Sequence, residues 1–165
     1  MNKKKIIILC VLVLCFFIII IKNINFSFMP SIKNFDCDNV SIEITKKDVS
    51  FTLVSQNGNW TVYANKTYKG KNNLCNAFAK KLHGIKFEEL IATHKSDKKY
   101  GILSNAVKII IKENNNKIVS IAFGSAVQNS SLVYASINND DDVFLVSGIL
   151  SSDLCISTEK FCDTK

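Results

Sequence analysis

The distribution of apolar residues divides the chain into two unlike parts. Ile6 to Ile21 is an unbroken run of sixteen apolar residues, with Lys3, Lys4 and Lys5 before it and Lys22 after it. As a helix it would rise about 24 Å, against a bilayer core of about 30 Å. Flanking lysines can snorkel, and Ile24, Phe26 and Phe28 extend the apolar stretch. The run predicts a short transmembrane anchor over residues 1–22. A removed signal peptide is the competing reading, but no Gly precedes Gly58 and no Ala precedes Ala64 to form a small-residue cleavage site. Either way, the lysine asymmetry puts the N-terminus in the cytoplasm and the rest outside it.

Residues 23–39, with the only proline at Pro30, read as a linker. From Val40 the pattern turns periodic. Val40, Ile42 and Ile44 alternate with Ser41, Glu43 and Thr45, the period of a half-buried strand. Phe51 and Leu53 begin a second strand, and Asn57-Gly58 predicts a tight hairpin into a third carrying Trp60 and Val62. Leu74, Phe78 and Leu82 recur every four residues and predict one helix, with Ala77 widening the stripe, Asn72 or Asn73 as cap and Gly84 as a positive-φ stop. Phe87–Ala92 is a strand candidate, and residues 96–101 read as one helical turn. Four more strand candidates follow at Val107–Lys112, Ile118–Phe123, Leu132–Ile137 and Val143–Val146. Helix-favouring residues resume at Ile149–Leu154, and residues 155–165 read as a polar tail. Runs of hairpins without alternating crossovers predict an α+β domain over residues 40–154, a mainly antiparallel sheet with one principal helix and short helical turns.

Charge changes little once the anchor is set aside. The chain has 21 lysines, no arginine and 14 acids; beyond Lys22 the balance is 17 lysines to 14 acids, so the basic composition gives no case for nucleic-acid binding. Lack of a guanidinium fork rules out arginine clamps on phosphate.

Candidate chemistry is sparse. Cys75 and His83 are eight residues apart on one helix, about 12 Å by rise, too far for one zinc with bonds near 2.0–2.3 Å. Asp140-Asp141-Asp142 begins like a calcium loop but continues into Phe144 and Leu145, so a hairpin turn is the reading. Gly124-Ser125-Ala126-Val127 lacks the second glycine of a nucleophile elbow. Glu88 and Glu89, adjacent on a strand, point to opposite faces and cannot pair. Cys37, Cys75, Cys155 and Cys162 lie beyond the anchor; Cys155 and Cys162 could staple the tail, and Cys75 reads as a buried thiol. No catalytic, cofactor or metal residues are expected.

Several segments resemble the bacterial domain-of-unknown-function family 4340, whose members include auxiliary components of ABC transport systems linked to gliding motility. They are Gly58-Asn59-Trp60-Thr61-Val62, the Leu74/Phe78/Leu82 helix, Tyr100-Gly101-Ile102, Ile121-Ala122-Phe123-Gly124, Val133-Tyr134-Ala135 and Val143-Phe144-Leu145-Val146. The resemblance implies an envelope protein with an N-terminal anchor, and Asn105 departs from the proline that often follows the Tyr-Gly motif. The expected function is a membrane-tethered, extracytoplasmic binding module, its partner an envelope or transporter protein and an exposed edge strand its docking element. An enzyme on envelope polymers and a structural spacer are the alternatives.

Overall fold

The computed structural model describes residues 29–96, 98–103 and 106–163. The expected anchor lies outside them. Among the described residues no helix is long and apolar enough to cross a membrane.

Nine strands form one antiparallel sheet: β1 (Val40–Lys46), β2 (Val49–Gln56), β3 (Asn59–Tyr63), β4 (Thr67–Lys69), β5 (Lys86–Ala92), β6 (Val107–Glu113), β7 (Asn116–Ala126), β8 (Val133–Ile137) and β9 (Val143–Ser147). Their order is β4-β3-β2-β1-β6-β7-β8-β9-β5. Two meanders therefore run outward from a central β1–β6 pair, where Ile42 faces Ile111 and Ile44 faces Ile109. Helix α1 (Asn72–His83) connects β4 at one edge to β5 at the other.

Turn chemistry sets these registers. Asn57 and Gly58 have φ of +51° and +76°, and Asn114 and Asn115 have +49° and +64°. Positive φ at both central residues matches the right-handed strand twist. Asparagine tolerates that region better than other side chains, which gives the Asn-rich composition a structural use.

One face of the sheet carries the main core. Ile42, Ile44, Leu53, Val62, Ile109, Ile111, Ile121 and Phe123 are buried there, together with Phe78 and Leu82 of α1. The helix stripe differs from expectation. Cys75, Phe78, Ala79 and Leu82 are the buried residues, while Leu74 is 39% exposed and Ala77 is also exposed. The helix is rotated by its grip on β3: Asn72 Oδ1 accepts the Trp60 backbone N–H at 3.0 Å and Asn76 Oδ1 accepts its indole N–H at 2.7 Å. The N-cap position is Lys71, without a side-chain cap bond, so Asn72 serves the tryptophan instead. Gly84 ends the helix at φ −84°, not in the positive region.

Both flanking segments fold onto this core. Phe35 is buried with its ring 5.5 Å from that of His83, and Met29 and Ile32 pack beside the core. The later part of the expected linker is thus a strap. Asp38 anchors it, its carbonyl accepting Gly58 N–H at 3.2 Å and the Ser55 hydroxyl at 3.0 Å.

The expected polar tail is likewise integral. Residues Ile149–Leu154 form turns rather than a helix, and helix α2 is Thr158–Phe161. Ile156, Phe161 and Cys162 are buried. Phe161 lies 5.4 Å from Phe78 and 6.0 Å from Phe51, ring centre to ring centre. A polar composition concealed three apolar anchors.

Candidate functional site

The opposite face of the sheet is covered unevenly. Over β7–β9 residues 98–102 fold back, and Tyr100, Ile102 and Val143 form a second apolar cluster with Ala92, Ala122 and Tyr134. Two glycines bring it close. A side chain at Gly124 would fall on the Tyr100 carbonyl oxygen, and one at Gly101, whose φ is +67°, would meet Ser125. The Tyr-Gly-Ile and Phe-Gly segments read separately from the sequence are two sides of one backbone contact. That contact also explains why Gly124-Ser125 is not a nucleophile elbow: the backbone of Tyr100 occupies the space above it.

Beside this flap lies a cleft of about 340 Å³. Its floor is one cross-strand row. Thr45 of β1 is the register partner of Lys108 of β6, Lys108 of Ala122 of β7, and Ala122 of Ser136 of β8. Neighbouring strands are about 4.8 Å apart, so the row spans about 14 Å. Lys47, two residues beyond Thr45 in the β1–β2 turn at φ +49°, flanks one end. At the other, Lys95 Nζ donates to the carbonyls of Asn139 at 2.7 Å and Asp140 at 3.0 Å, and pairs with Asp141 at 3.3 Å. Leu103, 63% exposed, lines the flap side.

The charge of this cleft is one-sided. Its lining contains three lysines and neither Asp nor Glu. Glu43, next along the same face of β1, is taken by Lys112 at 2.5 Å. Lys47 and Lys108 have no ion-pair or hydrogen-bond partner among the described residues. Ser136 is only 2% exposed and lies at the end of the row that lines the cleft. No local pattern marks this site, since Lys47 and Lys108 come to line one cleft only through the β1–β6 register.

The residues weighed from the sequence are not brought together. Cys75 is buried on α1, and desolvation and the neighbouring Cys162 push its thiol up to about 11. His83 meets Phe35 edge to face, and His94 is exposed just beyond β5. Cys37, Cys75, Cys155 and Cys162 are all free thiols, so no Cys155–Cys162 staple is formed. Among the described residues no three His, Cys, Asp or Glu side chains cluster as metal ligands. Asp140 and Asp141 sit in the β8–β9 turn, held by Lys95. Glu88 falls within the register shift between Phe87 and Glu89 of β5, and both glutamates are exposed; Glu88 accepts the Ser147 hydroxyl.

A second groove, about 470 Å³, lies at the β4 end between Asp48, Tyr68 and Glu159. Its charged lining is two carboxylates, Asp48 and Glu159, without a lysine. The sheet edges are guarded: Cys162 bridges Gly70 beyond β4, and β5 carries two irregularities and two exposed glutamates. Such features discourage strand addition, which shifts the candidate docking surface from the edges to the open face.

Comparison with curated proteins and with solved structures gave no match. The matched region, residues 60–165, starts at the tryptophan held by α1 and takes in both the flap and the C-terminal segment. Over that stretch the sequence fits the model described as a domain of unknown function, DUF4340, and the chain belongs to that family.

Proposed function

We propose that the protein is a non-enzymatic module tethered to the cytoplasmic membrane by its N-terminal apolar run. The sheet domain stands outside the cytoplasm and acts by binding a partner. The observation that carries the binding role is the half-open sheet. Among the described residues, one face of β1, β2 and β6 has no covering element, and it leads into a cleft lined by two lysines without a described partner. The tether rests on the sixteen residues Ile6–Ile21 and the lysines that flank them.

Confinement at a membrane makes weak contacts useful, because tether length rather than bulk concentration sets the encounter rate. Between Lys22 and Met29 the chain can reach only about 23 Å when extended. Met29 already packs on the core, so the domain would stay close to the bilayer surface. An ABC-type transport complex in the same membrane is the first partner class to test.

Cross-linking in intact cells, followed by solubilisation and capture of the full-length protein, should recover a permease or an ATPase in stoichiometric amount. Recovery of the protein alone would overturn the partner reading. A reporter that folds only outside the cytoplasm, fused after Lys165, should be active. An inactive reporter would overturn the orientation.

A further inference from the structure

We infer that the cleft over β1, β6, β7 and β8 is an oxyanion site, taking a phosphate or carboxylate group carried by its ligand. This deepens the reading of the open face as the binding surface, and it does not depend on the tether.

Three features converge. The first is charge. Lys47 from the β1–β2 turn and Lys108 from β6 line the cleft with no counter-ion among the described residues, and the acid nearby on β1, Glu43, is committed to Lys112. Two ammonium groups beside a low-dielectric wall favour an anion between them. In a chain without arginine, lysine must supply this recognition as a point charge. The second is a donor. Ser136 is almost fully buried at the far end of the row, and a hydroxyl there can complete the coordination of an oxyanion. The third is shape. Ala122, between Lys108 and Ser136, is small and leaves room above the sheet, while Ile102 and Leu103 offer an apolar wall for the rest of the ligand. Lys95 is different: its bonds to Asn139 and Asp140 fix the wall, so it positions the site.

Full-length protein in non-ionic detergent, titrated calorimetrically with pyrophosphate and separately with citrate at low salt, tests this. Saturable binding that weakens as salt is raised is expected. Tighter binding of pyrophosphate would identify a phosphate group, and tighter binding of citrate a carboxylate; either supports the site. Lys47→Gln and Lys108→Gln should each weaken binding about tenfold or more, as loss of a charged hydrogen bond does. Ser136→Ala should weaken it less, and Lys33→Gln and Lys69→Gln should leave it unchanged. The glutamine variants should unfold at the same temperature as the parent, because neither lysine has a partner to lose. Absence of saturable binding, or equal loss in the Lys33 and Lys69 controls, would overturn the proposal. A failed capture of transporter subunits would leave this result standing, so the two readings fail separately.

Discussion

The two meanders of the sheet use the same hairpin construction but bury it differently. In β1–β3, apolar residues face the main core and the other face remains polar: Ser41, Glu43, Thr45, Thr52 and Thr61 are exposed or half-buried. In β7–β9 the second face is covered as well. Ser120 and Ser136 are buried there, and Val143 is wholly enclosed by the flap. A half-wet sheet needs only alternation, whereas a doubly covered one needs close backbone approach. That requirement explains why Gly101 and Gly124 stand at the flap contact. The cleft forms where one regime gives way to the other.

The largest effect tests what the two halves share. Phe161→Ala removes a fully buried ring lodged between Phe51 and Phe78. A loss of about 3–5 kcal/mol is expected in denaturant unfolding, with both halves melting together. Unchanged stability would mean that the C-terminal segment is not part of the core.

Gly124→Ala should separate the halves. Its methyl would collide with the Tyr100 carbonyl oxygen, so the flap must lift or the strand must shift. A cost of about 1–3 kcal/mol is expected. Hydrogen exchange should rise over residues 98–102 and β7–β9 while β1–β3 keep their protection. Uniform loss of protection would erase the distinction.

The smallest effect lies under the polar half. Burial raises the Cys75 thiol from 9.0 to about 11. The folded state therefore holds a proton that the unfolded state has released between those values. Its contribution is fully present below about 9 and is lost as the pH climbs through about 11. Cys75→Ala should flatten that alkaline decline in thermal melts. Iodoacetamide at neutral pH should modify the exposed Cys155 before Cys75.

Much of this architecture could be read from the sequence because it is local. The alternation of Val40, Ile42 and Ile44 and the turn at Asn57-Gly58 needed no distant partner. Strand β4 is only three residues long and has no periodic signal. Leu74 outranks Cys75 in hydropathy, so periodicity alone starts the helix stripe at Leu74 although Phe78 and Leu82 are placed correctly; the asparagine clasp on Trp60 favours Cys75 and Ala79 instead. Phe161 and Ile156 are buried by partners far away in sequence. The cleft was invisible for the same reason: Lys47, Lys108 and Ser136 become neighbours only through strand pairing.

The placement of β1 beside β6 has a consequence for biogenesis. Each meander can zip up from its own turns, but the middle of the sheet joins residues 63 to 73 positions apart. Contacts of that span are slow to close. If synthesis delivers about 5–20 residues each second, one side of β1 stays unmated for several seconds before Val107–Glu113 arrives. Glu43 and Lys46 on that strand are then gatekeepers against premature association with another nascent chain, before one of them finds Lys112 as its permanent companion.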